Sequence, residues 1–267
     1  MPRRISSQEL INLIGTARCP DIIDVRRKAV FDDQPTRIAG ALWRDHMTIE
    51  DNLPRTDRHI VVYCAHGHNV SEIAAARLAQ AGIDVLVLDG GIEAFEAAGG
   101  QIVHARSPYF DCTGGPGNWV TRERPKIDRI ACPWLIRRFV DPHAAFQFVA
   151  AEWVRDIADE TGWVPYDVEG VELTHRWETC SFDTLVAEFG IEDPALLHLA
   201  RIVRGADTAA LDLEPQAAGL LAISLGLSAT EQDDHEQLEK GMIVYDALYG
   251  WCRHATSERH NWPARAA

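Results

Sequence analysis

The stretch His59-Ile-Val-Val-Tyr-Cys64-Ala-His-Gly-His-Asn-Val-Ser71 decides how the first part of the chain folds. Ile60 to Tyr63 is an unbroken apolar run, the pattern of a strand buried on both faces. A polar loop around Gly67 ends the run. From there Val70, Ala74, Leu78 and Ala81 recur on one face of a helix that Gly82 stops. The thiol of Cys64 is therefore expected at the end of a strand, where the backbone N–H groups of Ala65 to Val70 and the positive end of the next helix can converge on one point. Such a seat favours thiolate and binds anions. A small buried structural cysteine is the plain alternative, and the glycine-containing polar loop weighs against it.

Outward from this unit the texture is α/β. Ser6–Ile14 reads as a helix opened by the capping box Ser6-Ser-Gln-Glu9. Asp21–Val25 and Asp84–Leu88 read as strands, Gly90-Gly91 as a turn and Ile92–Ala98 as a helix. Alternating strands and helices predict a largely parallel sheet covered on both faces, with the Cys64 loop at its carboxyl edge, where α/β ligand sites usually lie. Residues 105–118, with Ser107-Pro108 and Gly114-Gly-Pro-Gly117, read as a linker. Beyond it the chain is expected to be mainly α. Asp128–Val140 reads as helical despite Pro133, Phe146–Val149 and Trp163–Tyr166 as short strands. Further helices are expected at Ser181–Phe189, Pro194–Val203, Pro215–Leu225 and Glu231–Trp251.

Composition narrows the function classes. With 26 basic and 40 acidic residues, the net charge of −14 argues against general binding to nucleic acid or anionic membrane. The apolar stretches are too short to span a bilayer and the start does not read as a signal peptide, so a cytoplasmic location is expected. Six cysteines without paired spacing indicate neither a disulfide framework nor a zinc ribbon. A basic island, Arg122 to Arg138, interrupts the acidic second part; it reads either as an anion pocket or as arginines paired with nearby carboxylates.

Four ordered motifs carry a family likeness: Ile22-Ile-Asp24-Val-Arg26, Ile38-Ala-Gly40-Ala41, Val61-Val-Tyr-Cys64-Ala-His-Gly67, and Val87-Leu-Asp-Gly90-Gly91-Ile-Glu-Ala-Phe95. Over residues 5–104 the chain resembles the rhodanese family. The resemblance implies a sulfurtransferase in which Cys64 takes a sulfane sulfur as a persulfide and passes it to a thiophilic acceptor. It further implies that the loop Ala65, His66, Gly67, His68, Asn69, Val70 cradles the substrate anion and that Asp24 and Arg26 order the site. One departure stands out: many rhodaneses place an arginine five residues after the cysteine, and Asn69 stands there instead, so thiosulfate is not secured as the donor. His66 and His68 are candidates for the missing polar contacts.

The run Arg122-Glu-Arg-Pro-Lys-Ile-Asp128-Arg129-Ile-Ala-Cys-Pro-Trp134-Leu-Ile-Arg137-Arg138 resembles the opening of the C-terminal domain of the chromate-resistance protein ChrB. Val164-Pro-Tyr-Asp167 and Glu172-Leu-Thr-His175 extend the likeness over residues 119–252. It implies a context of chromate handling. Arg122, Arg124, Lys126, Arg129, Arg137 and Arg138 are the side chains expected to hold a tetrahedral dianion such as chromate or sulfate. His175, Glu178 and Cys180 offer mixed metal-ligand chemistry without a recognised zinc spacing.

The expectation is a two-domain enzyme that needs no cofactor for sulfur transfer, with a metal ion as an option in the second domain. Its expected partners are a small-molecule sulfur donor and a thiol acceptor, with chromate as a further option. The rival is an oxyanion- or metal-binding sensor whose first domain is catalytically idle. A DNA-binding regulator is weaker, because neither a helix-turn-helix pattern nor a basic face is visible.

Overall fold

The computed structural model describes residues 2–34, 36–51, 53 and 57–258. The first part runs β1 (Arg3–Ile5), α1 (Ser7–Leu13), β2 (Asp21–Asp24), α2 (Lys28–Asp33), β3 (Thr36–Ile38), β4 (Leu42–Trp43), β5 (Ile60–Tyr63), α3 (Val70–Gln80), β6 (Val85–Leu88), α4 (Gly91–Ala97) and β7 (Ile102–His104). Five strands form a parallel sheet in the order β1-β6-β5-β2-β4, and β3 pairs antiparallel with β7 to one side. β5 is central, which is why its four residues are all apolar and none is more than 4% exposed. Ser6 caps α1 as expected: its hydroxyl accepts from the Glu9 N–H and its own N–H donates to the Glu9 carboxylate.

The second part continues with β8 (Asn118–Arg122), α5 (Asp128–Leu135), β9 (Ala145–Val149), α6 (Val154–Thr161), β10 (Val164–Pro165), α7 (Ser181–Glu188), α8 (Pro194–Asp207), α9 (Ala217–Thr230) and α10 (Asp234–His254). It is mainly α, and it also holds a small parallel sheet, β10-β8-β9, whose middle strand is not among the strands expected from the sequence. Pro133 does not break α5. Its missing N–H would leave the Arg129 carbonyl four residues back without a helical donor, and the buried Tyr166 hydroxyl approaches that carbonyl at 3.5 Å. The chain then widens into a π turn over Ile136–Val140, which places Arg137 and Arg138 at the end of the helix.

Residues 105–117 form no helix or strand, yet they are no free tether. Ala105, Phe110 and Cys112 are buried, and the Trp43 N–H donates to the Cys112 carbonyl at 2.9 Å. One hydrophobic core runs through both parts. The Gly40 N–H donates to the Phe139 carbonyl at 2.6 Å, and buried Arg37 donates to the carbonyls of Ala41 and Val140. At the other end Arg253 donates to the carbonyls of Ile11 and Ile14, capping the last turn of α1 with a cation. No helix among the described residues is long and apolar enough to cross a membrane.

Candidate functional site

Cys64 lies just past the carboxyl end of β5, and the loop after it is clamped from below by the start of α4. The N–H groups of Ile92 and Glu93 donate to the carbonyls of Cys64 and Ala65 at 3.0 and 3.2 Å. Gly67 takes φ +72° in a space walled by backbone: a Cβ there would sit 2.6 Å from the Leu88 carbonyl oxygen. Arg4, which sequence reasoning passed over, straps the loop from outside, donating to the Gly67 carbonyl and pairing with Glu72 and Asp89. Nothing in the local sequence marks Arg4, because its partners lie more than sixty residues away.

The surroundings of the sulfur differ from the expected ring of amides. Cys64 is 6% exposed. Its Sγ lies 3.2 Å from the His68 backbone carbonyl, to which the thiol donates, and 3.4 Å from the Ser71 hydroxyl on α3. A carbonyl rather than an N–H thus faces the thiol, because Asn69 adopts φ +46° and ψ −80° and turns the preceding peptide inward. Among the loop residues, His66 pairs outward with Glu93 at 3.0 Å, His68 and Asn69 are exposed, and Ala65 and Val70 are half-buried. Neither histidine takes the place of the missing arginine at the sulfur.

Asp24 and Arg26 form a buried bidentate pair one strand away, with Arg26 Nη2 at 2.5 Å from Asp24 Oδ2. Tyr63 donates its hydroxyl to the same carboxylate at 2.9 Å, and Arg26 also donates to the Thr36 carbonyl. Burial acts to strip the Arg26 proton, and the Asp24 carboxylate more than restores it. These contacts brace β2 against β5 and β3. Asp24 and Arg26 therefore act on the site through the sheet, as residues that order it, and not as catalytic groups at the sulfur.

The basic island is likewise not one anion pocket. Arg122 and Arg129 pair with Asp167, each at 3.2 Å. Arg124 donates to the carbonyls of Ser228 and Glu231 at the end of α9. Arg137 and Arg138 reach α10, pairing with Glu239 and Asp246 at 2.6 and 2.8 Å, and Lys126 is half-buried. Arg122 and Arg129 share one carboxylate, Arg124 is engaged by carbonyls, and Arg137 and Arg138 turn to α10, so these arginines do not converge on a common dianion site.

Four side chains do converge in the second part. Asp128 opens α5, Asp207 closes α8, Asp167 follows β10, and His175 lies on the loop before α7. His175 Nε2 lies 3.1 Å from Asp207 Oδ2, 3.3 Å from Asp128 Oδ2 and 3.5 Å from Asp167 Oδ1. Ser181 fastens the base of the cluster, its N–H donating to Asp128 at 3.1 Å and its hydroxyl to Asp167 at 2.8 Å. Hydrogen bonds that His175 donates to the Asp128 and Asp167 carboxylates push its imidazole up to about 10, while burial pushes the Asp207 carboxyl up to about 7 and raises Asp128 as well.

The trio His175, Glu178 and Cys180 is not brought together. Glu178 is exposed, and the buried Cys180 thiol turns to the Asp183 carboxylate at 3.3 Å, with burial pushing it far above the ordinary thiol range. The partners of His175 come instead from three other elements. Only Asp167 and Asp128 stood in motifs of note, and Asp207 carried no local signal.

The strand-end cysteine, its glycine loop and the parallel sheet that carries them lie in residues 6–98, which the rhodanese-like domain model matches, so the first part has a rhodanese-like fold. The model of the ChrB C-terminal domain matches residues 119–252, half of the chain, and the protein belongs to that family. Protein ChrB of Cupriavidus metallidurans is 36% identical over 132 residues, which is 49% of this chain and 39% of that protein, so the likeness spans well under half of the relative. Among solved structures, a rhodanese-related protein from Thermoplasma volcanium is 24% identical over 38% of this chain and 97% of its own, with a TM-score of 0.33. A rhodanese-like domain protein from Staphylococcus aureus is 27% identical over 35% and 90%, with a TM-score of 0.31.

Proposed function

We propose that the protein is a sulfur carrier working in chromate resistance, with Cys64 as the residue that is persulfidated. The observation that carries this reading is the seat of the sulfur: at the carboxyl end of the central strand and 3.4 Å from the Ser71 hydroxyl in the first turn of α3. In the forward step the Cys64 thiolate attacks the sulfane sulfur of a donor. A bond forms between Sγ and that sulfur, the donor's S–S bond breaks, and the donor leaves as an anion with the bonding pair. An acceptor thiolate then attacks the outer sulfur of the persulfide, which returns Cys64 as thiolate. The thiol proton goes to solvent in the first step, and the His68 carbonyl must turn aside, since it is an acceptor and would repel the anion formed.

The link to chromate rests on the ChrB family membership of the second domain. A small-molecule sulfur donor, a thiol acceptor and a cytoplasmic setting follow from the same reading. A second reading, a sensor with an idle first domain, draws on the inward His68 carbonyl and the absence of a loop arginine.

Intact-mass measurement after incubation with thiosulfate, or with glutathione persulfide where thiosulfate is inert, separates the two. One added sulfur atom, mapped to Cys64 and missing from Cys64→Ser, supports the carrier. No added sulfur from either donor, with the protein folded, overturns it in favour of the sensor.

A further inference from the structure

We infer that Asp128, His175 and Asp207 form a binding site for one first-row divalent transition-metal ion, independent of the sulfur chemistry at Cys64. One ligand atom from each of the three lies within 4.8 Å of the others. The separations of His175 Nε2 from Asp207 and Asp128, 3.1 and 3.3 Å, match edges of a coordination polyhedron. With metal–ligand bonds of about 2.1 Å, neighbouring ligands stand about 3.0 Å apart in an octahedron and about 3.4 Å apart in a tetrahedron.

The imidazole is what sets this cluster apart from a patch of acids. A ring nitrogen carries at most one hydrogen, directed along one line, yet three carboxylate oxygens lie within 3.5 Å of Nε2. One proton cannot bond all three. Asp167 already has compensation from Arg122 and Arg129, so it serves as a neighbour that orients His175 rather than as a ligand. Among the described residues Asp128 and Asp207 pair with no arginine or lysine, and His175 is the basic group beside them. Asp128 is 2% exposed, and leaving its charge and that of Asp207 side by side in the interior is costly. A divalent ion held by two carboxylates and a neutral imidazole balances the charge.

The donor set selects the metal. One nitrogen with two carboxylate oxygens suits zinc, manganese or ferrous iron; magnesium and calcium prefer oxygen alone, and cuprous copper prefers sulfur. His175 is the exposed wall of the site, with 42% of its side chain accessible, so the ion can enter from solvent and its remaining positions are left for water or an anionic ligand.

The test uses the full chain, stripped with a chelator and titrated calorimetrically with zinc alone and with manganese alone. One equivalent should bind. His175→Gln and Asp207→Asn, checked for folding by circular dichroism, should each weaken binding at least about tenfold, while Glu178→Gln should leave it unchanged. In the wild type, pulsed electron paramagnetic resonance of bound manganese should show coupling to an imidazole nitrogen. No binding by the wild type, unchanged binding by folded His175→Gln and Asp207→Asn, or a manganese signal without nitrogen coupling overturns the site. Persulfide formation at Cys64 is scored separately, so failure of either proposal leaves the other standing.

Discussion

Gly91 approaches Cys64 so closely that a Cβ on it would lie 2.3 Å from the Cys64 carbonyl oxygen and 2.4 Å from that of Ala65. The contact is backbone on backbone, and Gly91 also takes φ +64°. The turn at Gly90-Gly91 and the strand end at Cys64 are therefore one unit, though they are more than twenty residues apart.

Gly91→Ala should accordingly destabilise the protein by roughly 2 kcal/mol or more, because neither the strained φ nor the carbonyl clash can be relieved by a side-chain movement. Urea unfolding followed by circular dichroism reads the loss, and sulfur loading of Cys64 should fall with it. A variant as stable as the wild type would mean that the two loops are not locked together.

Asp246→Ala should cost about 2–3 kcal/mol, since it strands the guanidinium of Arg138, 9% exposed, and removes the acceptor of the Trp134 indole N–H. Asp246→Asn keeps one acceptor oxygen and should lose less. Thermal melts of the two variants check the order.

The carboxylate of Asp233 caps α10, accepting from the N–H groups of His235 and Glu236 at 2.9 Å, and these bonds hold its pKa below the usual 3.8. A lowered folded-state pKa contributes stability above the unfolded value and loses it as pH falls below about 3.8 through the folded value. Asp233→Ala should therefore be less stable than the wild type at pH 7, with a gap that narrows as acid protonates the cap. A gap that stays constant between pH 7 and pH 2 would show that the charge contributes nothing.

Burial pushes the thiols of Cys132 and Cys180 upward, and both side chains are sealed in the core. Iodoacetamide at neutral pH should leave them unmodified until the protein is unfolded, while half-buried Cys252 is open to slow alkylation. Peptide mapping after a timed reaction gives the order.

A single core running through both domains predicts one cooperative heat-absorption peak in calorimetry rather than two. Gly15 sits against the Tyr249 ring, where an added Cβ would come within 2.5 Å, so Gly15→Val should disturb both domains together.

In the first domain α1, β2, β5, α3, β6 and α4 are legible in the sequence because each follows from local chemistry, as in the continuous run of β5, the capping box of α1 and the glycine stop after α3, whereas β1, β3, β4 and β7 are too short to show a pattern. α2 and α6 are not legible: both are short and neither has a side-chain N-cap, although Gly162 closes α6 in the left-handed conformation. β8 is not legible as a strand because it is short and opens directly on the glycine-rich end of the linker, with only Trp119 and Val120 apolar.

What the sequence determined by itself was the periodicity of the elements, the position of Cys64 at a strand end and the two families, since these depend on residues near one another along the chain. Which way the His68 carbonyl turns, which acids claim the arginines of the basic island, and which carboxylates gather around His175 were decided only by tertiary structure. Those contacts join residues from separate elements, and a charged side chain in a folded interior pairs with whatever opposite charge the packing brings within reach.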